Sequence, residues 1–150
     1  MTALAATETP SRASAVQKVV SKCGVEAWLV EDYAIPLIAL EFAFKGGATQ
    51  DPVGKPGAAT LLSGLLDEGA GAYDSDGFHR ALDEDAIEMS FSADHDILTG
   101  RMQSLSRNSA RAFDLLQLAV TEARLDAESL ERVVSQIAAG LKREANDPDS

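Results

Sequence analysis

Large hydrophobic residues alternate with small or polar residues in two separate stretches of the chain, and this alternation constrains the fold more than any other feature. In the first stretch the large residues occupy every second position, which places them on one face of a β-strand: Ile38, Leu40, Phe42 and Phe44. Residues 87–93 show the same period, and Asp94-His95-Asp96 predicts a turn into a further strand over residues 97–105. A sheet with one apolar face has to be covered, so the chain needs helices as well.

Helical spacing appears between and after these strands. Leucines from Leu61 to Leu66 predict a short buried helix that ends at Gly69-Ala70-Gly71, and a second helix is expected to open at Ser75. Two long helices are predicted over residues 106–123 and 126–145, the last one capped by Asp126.

A first hairpin is predicted before the alternating strand. Residues 16–20 and 25–30 have strand character, and Cys23-Gly24 marks the turn between them. Trp28 and the Phe42/Phe44 pair are expected to lie in the core. Because strands and helices are segregated along the chain, the predicted class is α+β, with helices packed on one face of a mixed or antiparallel sheet.

Composition and net charge exclude some classes of partner. A chain of 150 residues with 45% hydrophobic and 25% charged residues is expected to form one folded domain. The net charge of −11 repels phosphate and anionic lipid, so we expect neither a nucleic-acid partner nor a membrane partner. Residues 1–15 are small and polar, and we interpret them as a disordered leader left by a trimmed export signal. This interpretation favours the periplasm, with the cytoplasm as the alternative.

The loop that follows the first alternating strand carries a family resemblance. After Gly46-Gly47 the chain reads Asp51-Pro52-Val53-Gly54-Lys55-Pro56-Gly57, and a helix begins at once. The run resembles the amino-terminal part of the pitrilysin/insulinase family of zinc peptidases, which includes the mitochondrial processing peptidase subunits. In that family a D-P-x-G-K-x-G loop precedes a helix with the inverted zinc motif His-x-x-Glu-His. The resemblance extends over residues 16–148, and it implies that residues 16–150 form the N-terminal part of such a domain, incomplete at the C-terminus.

The chemistry of the family is missing at the corresponding positions. The resemblance places the first zinc-binding His at Thr60, the catalytic Glu at Ser63, the second His at Gly64, and the third ligand at Gly140. A hydroxyl is a poor zinc ligand, glycine offers none, and no carboxylate remains to act as general base. We therefore expect a chain that is not an enzyme on its own and holds no zinc or other cofactor.

By the same resemblance, such a silent chain pairs with a zinc-bearing subunit and helps enclose extended peptides. The resemblance implies that the strand beside the active site holds the peptide by main-chain hydrogen bonds, which gives five candidate binding residues: Met89, Ser90, Phe91, Ser92 and Ala93. The alternative is a structural or peptide-binding scaffold without a proteolytic partner. An exposed strand edge leads us to expect a homo- or hetero-oligomer.

Other polar residues receive plainer interpretations. His79 is expected on the surface of a helix, and His95 is expected in a solvated turn rather than at a metal. Asp67 and Glu68 are expected to be surface charges rather than a substitute metal site.

Overall fold

The computed structural model describes residues 16–146, and the predicted leader lies outside them. The described chain divides into two units, residues 16–35 and residues 36–146. The prediction of a single domain over residues 16–150 stays a prediction. Within residues 16–146, no helix is both long and apolar enough to cross a lipid bilayer.

The first unit is the predicted hairpin. Strand β1 (Gln17–Val20) pairs antiparallel with β2 (Glu26–Leu29), and Lys18 lies opposite Trp28. All eight strand residues are exposed, and Trp28 is 81% exposed, so the prediction that Trp28 lies in the core is wrong. A ribbon of two four-residue strands has no second layer of its own against which to bury a face.

The second unit contains a three-stranded antiparallel sheet. Its strands are β3 (Leu37–Lys45), β4 (Ile87–Ala93) and β5 (Ile97–Leu105), in the order β3-β5-β4. The predicted hairpin at residues 87–105 is confirmed, since all seven residues of β4 pair antiparallel with β5. β5 is the central strand, with Gly100 opposite Phe42 on one side and Phe91 on the other.

In the described part of the chain, four α-helices accompany the sheet, together with short 3-10 turns at residues 48–50 and 106–108. They are α1 (Ala58–Ser63), α2 (Ser75–Glu84), α3 (Ser109–Thr121) and α4 (Ala127–Glu144). The predicted helix over the leucines ends earlier than expected, at Ser63. Leu65 and Glu68 donate to carbonyls three residues back, so the chain continues in turns until Gly69.

The main core lies between the sheet and helices α2 and α3. Its members are Ala70, which precedes α2, and buried apolar residues from both layers: Phe78, Ala81, Leu82, Ile87, Met102, Ala112, Leu115, Leu116 and Ala119. Leu40 and Phe42 pack against this core, whereas Phe44 is 49% exposed, which corrects the expectation that Phe44 is buried. Phe44 still touches the Phe42 ring edge to face, with ring centroids 5.5 Å apart. The predicted α+β class is confirmed.

Gly47 fixes the tip of the β4–β5 hairpin. The backbone N–H groups of Ala48 and Thr49 donate to the carbonyls of Asp94 and His95, each at 2.9 Å. A Cβ atom at Gly47 would lie 1.9 Å from the Asp94 carbonyl oxygen, so only glycine permits this approach. The loop that leads to α1 is therefore fastened to the sheet before the helix begins.

Asp126 stands at the N-cap of α4, as predicted, but its side chain does not cap the helix. The Arg124 guanidinium forms an ion pair with the Asp126 carboxylate, with Nε 2.7 Å from Oδ2. Arg124 therefore competes with the backbone N–H groups at the start of α4 for the Asp126 carboxylate, which would otherwise accept hydrogen bonds from them.

Candidate functional site

Helix α1 is held at its N-terminus by the first residue of the D-P-x-G-K-x-G loop. The Asp51 carboxylate accepts from the backbone N–H of Gly57 at 2.6 Å and from that of Ala59 at 2.8 Å. Gly57 occupies the N-cap with φ of 90° and has no side chain to cap the helix, so Asp51 supplies the cap from six residues upstream. The sequence identified the loop by resemblance and did not reveal this role of Asp51.

Three of the four positions that the family resemblance assigns to the zinc site lie along or just after α1. Thr60 is exposed and Ser63 is buried, with the Ser63 hydroxyl donating to the Thr60 carbonyl at 2.9 Å. A Cβ atom on Gly64 would lie 2.8 Å from Cγ1 of Val133 in α4. Gly64 thus allows α4 to pack directly on the end of α1.

The fourth position, Gly140, lies elsewhere on α4. A Cβ atom there would meet nothing within 4 Å. Gly140 stands seven residues beyond Val133, a distance of about 10 Å along a helix axis. The structure therefore places Val133, rather than Gly140, against the end of α1.

The histidines lie apart from these positions. His79 is exposed, and its Nδ1 atom lies 2.9 Å from the Ser75 carbonyl oxygen. His95 contacts Asp96 at 3.0 Å, and both side chains are 80% exposed. Among residues 16–146, no three His, Cys, Asp or Glu side chains are grouped in a way that could hold a metal ion.

Glu68 takes part in a polar network that the sequence did not predict. Its carboxylate pairs with Arg132 of α4 and accepts a hydrogen bond from the Ser75 hydroxyl at 2.7 Å. Arg132 also donates to the Ser75 hydroxyl at 2.9 Å, and Ser129 donates to the Glu68 carbonyl at 3.3 Å. The Glu68 side chain is only 14% exposed, so the interpretation of Glu68 as a surface charge is wrong. The network joins the turn after α1 to the start of α2 and to α4.

Asp67 is the neighbouring carboxyl group and is half-buried. Burial raises the pKa of Asp67 above its ordinary value, and the adjacent Glu68 charge raises it further. A hydrogen bond from its own backbone and the positive charge of His79 act in the opposite direction.

The candidate peptide-binding strand, β4, lies at one edge of the three-stranded sheet as described. Ser90 and Ser92 are exposed, whereas Met89, Phe91 and Ala93 are half-buried on the side of the helices. Ser90 also lines a groove of about 330 Å³ on the opposite face of the sheet. Arg101 and Glu41 form an ion pair of 3.2 Å within this groove.

No family model matches the chain. A sequence comparison finds similarity to the non-peptidase homolog YmxG of Helicobacter pylori, with 24% identity over 119 residues, 79% of this chain and 28% of that protein. Among solved structures, the peptidase M16 inactive domain from Pseudomonas fluorescens matches with a TM-score of 0.78 and 27% identity. That match covers 89% of this chain and 32% of the other.

Two further structures share the fold at lower identity. Pitrilysin matches with a TM-score of 0.72 and 21% identity over 86% of this chain and 14% of its own. A protease from Helicobacter pylori matches with a TM-score of 0.67 and 18% identity over 85% of this chain and 30% of its own.

This chain spans about a third or less of the length of these proteins. Two of the four are described as inactive or non-peptidase, and the other two contribute the fold alone. The resemblance seen in the loop is therefore confirmed: the chain has the fold of the M16 peptidases, and its similarities fit an inactive member of the pitrilysin family.

Proposed function

We propose that this chain is a catalytically silent, peptidase-like protein that pairs with an active zinc peptidase of the same fold and helps to enclose peptide substrates. Its similarity to an inactive M16 domain and to a non-peptidase homolog supports the silent state. The observation that carries the proposal is at Gly64, the position that the resemblance assigns to the second zinc ligand: a Cβ atom there would lie 2.8 Å from Cγ1 of the buried Val133, which leaves no room for a ligand side chain.

The chemistry of the motif positions supports the same conclusion. The Ser63 hydroxyl is buried and engaged with the Thr60 carbonyl, so it provides neither a zinc ligand nor a general base. A histidine side chain at Gly64 would have to displace Val133, which is 3% exposed. The residue types at these positions and the packing of Val133 beside Gly64 both support a site without zinc. We therefore expect the zinc ion in the partner.

Peptide binding is proposed to occur along residues 89–93 of β4. An edge strand offers unpaired main-chain groups to an extended peptide, and small exposed side chains at Ser90 and Ser92 do not obstruct its approach. The side chains of Met89, Phe91 and Ala93 face the helical side, so these three residues would contribute through their main chain.

The silent state is tested by measuring zinc content and peptide hydrolysis on the purified chain. We expect less than stoichiometric zinc and no chelator-sensitive hydrolysis. Stoichiometric zinc together with such hydrolysis would contradict the proposal.

The closed packing behind the silent state has its own test. Gly64→Ala should lower the free energy of unfolding by about 1 to 2 kcal/mol, because the new methyl group overlaps a stiff, buried valine. The same substitution should cost less in a Val133→Ala background, and a double-mutant cycle measured in urea gives the difference. Equal costs in both backgrounds would mean that the two helices do not pack at these residues.

Peptide binding is tested without altering the protein. An extended peptide that binds should lose affinity when alternate backbone nitrogens are N-methylated on the edge that pairs with β4, and it should keep affinity when the opposite edge is methylated. Equal affinity of both methylated peptides would exclude strand addition.

Pairing is tested by co-purification from the periplasmic and cytoplasmic fractions separately. Recovery of a peptidase with an intact His-x-x-Glu-His motif supports the proposal, and recovery in the periplasmic fraction supports that location. Recovery of unrelated complex subunits would favour the alternative, a structural scaffold with no proteolytic partner.

A further inference from the structure

Helix α4 has a packed face and, beside it, an apolar stripe that is largely exposed. The packed face contains Ser129 and Val133, each 3% exposed. The apolar stripe, here called the α4 seam, consists of Leu130, Val134, Ile137 and Leu141. Leu130, Val134 and Leu141 are 37%, 47% and 61% exposed, and Ile137 is half-buried. Unpaired apolar surface of this kind indicates an interaction site.

The seam has the spacing of a helix-pairing surface. Its residues follow one another by four, three and four positions, so at about 100° per residue they lie within an arc of about 60°. They extend about 17 Å along the helix, or three turns. Apolar residues at this spacing form the contact line of two helices that pack side by side.

The seam is also symmetric about its centre, between Ser135 and Gln136. When two copies of α4 run antiparallel about this point, Leu130 lies opposite Leu141 of the second copy and Val134 lies opposite Ile137. Each copy then presents the same patch to the other, which is the condition for a two-fold dimer.

Charges beside the seam favour the antiparallel arrangement. Glu131 and Lys142 lie at about 100° and 120° around the helix from Leu130, so both stand on the same flank of the seam. Neither side chain forms an ion pair with another residue of the described chain. In an antiparallel pair each flank meets its own counterpart, which brings Glu131 of each copy beside Lys142 of the other. In a parallel pair this flank would instead meet the side of Val133, which faces the interior.

We propose that α4 is a self-association surface, on which two copies of this chain pair antiparallel through the α4 seam and through two Glu131–Lys142 contacts. This proposal does not rest on the proposed function. One pair of three-turn stripes is smaller than the interface of a stable dimer, and the net charge of −11 on each copy opposes association. The dimer is therefore weak and depends on concentration.

Sedimentation equilibrium over about 10 µM to 1 mM tests the proposal on the full chain. Glu131→Lys and Lys142→Glu should each raise the dissociation constant about tenfold, because each places two like-charged pairs across the dimer. The combined swap, Glu131→Lys with Lys142→Glu, should restore dimerisation. Glu128→Lys and Arg143→Glu are matched controls, since they change the net charge equally on the face away from the seam and should leave the constant within about twofold.

Orientation is tested by disulfide cross-linking in a Cys23→Ser background. Leu130→Cys mixed with Leu141→Cys should form the mixed disulfide faster than either variant links to itself. A monomer at all concentrations would overturn the proposal, as would a dimer that ignores the charge reversals or a swap that does not rescue. Association only with a different protein would overturn it as well, because the seam would then serve another partner.

Discussion

Residues 16–146 contain two antiparallel β-hairpins, which differ in whether a second layer packs against them. The β1–β2 hairpin pairs four residues with four, and every one of these residues is exposed. The β4–β5 hairpin pairs seven residues, and its central strand buries every second residue from Leu98 to Ser104. Both satisfy the same backbone pairing rules, so hydrogen bonding does not distinguish them.

Their side chains explain the difference. Met102 of β5 is 1% exposed and packs among residues of α2 and α3, whereas Trp28 of β2 is 81% exposed. The first hairpin instead carries an ion pair of 2.7 Å between Lys18 and Glu26, whose side chains are both more than half exposed. Exposed ion pairs contribute about 0 to 1 kcal/mol, and burial of a methionine contributes more. A hydrophobic residue in a strand therefore reports burial only when a second layer covers it.

The largest expected effect on stability is at Gly47, where the loop is hydrogen-bonded to the tip of the β4–β5 hairpin. Gly47→Ala should lower the free energy of unfolding by about 3 kcal/mol or more, because the new Cβ atom would collide with the Asp94 carbonyl oxygen. Gly140→Ala is the matched control, because a Cβ atom there meets nothing within 4 Å. It should stabilise the helix by about 0.5 to 1 kcal/mol. Chemical denaturation measures the free energy of unfolding of both variants. Equal effects would mean that the loop does not pack closely against the hairpin tip.

The second effect is at the buried face of β5. Met102→Ala should cost about 2 to 4 kcal/mol, since it leaves a cavity between the sheet and the helices. Met102→Leu, which nearly conserves volume, should cost less than about 1.5 kcal/mol. A cost for the alanine variant as small as that of an exposed residue would remove the distinction between the hairpins.

A smaller effect concerns pH. Burial raises the folded-state pKa of Asp67, so the folded state holds its proton more tightly than the unfolded state does. Stability from this group is lost as the pH rises from about 4 through the raised pKa. Asp67→Asn should flatten that part of the stability profile and raise stability at neutral pH. Urea denaturation between pH 3 and pH 8 checks this, and an unchanged profile would contradict it.

The smallest effect is expected in the first hairpin. Trp28→Ala should change the free energy of unfolding by no more than about 0.5 kcal/mol, because the indole is mostly exposed. Trp28 is the one tryptophan of the chain, so its fluorescence reports this hairpin alone. Emission should resemble that of tryptophan in water and be readily quenched by acrylamide. A blue-shifted, protected emission would show that the hairpin is covered in solution.

Much of the second unit was predictable because its patterns are local. Alternation fixed the faces of β3 and β4, and helical spacing together with turn residues fixed α2, α3 and α4 to within a few residues. Counting along the sequence from the D-P-x-G-K-x-G loop also gave the predicted zinc-site positions Thr60, Ser63 and Gly64. The helix after Pro56 was predicted too long, because Leu65 and Leu66 are buried at helical spacing although they lie in the turns that follow α1.

By itself the sequence determined the order and periodicity of the elements and the loop that carries the family resemblance, and from this loop it predicted that Thr60, Ser63, Gly64 and Gly140 stand at the family's zinc-site positions. Only the tertiary structure decided that Asp51 caps α1, that Glu68 pairs with Arg132, and that Val133 fills the space beside Gly64. These contacts join residues that are 8, 64 and 69 positions apart, respectively. Periodicity records which face of an element is apolar, but it does not record which distant residue meets that face.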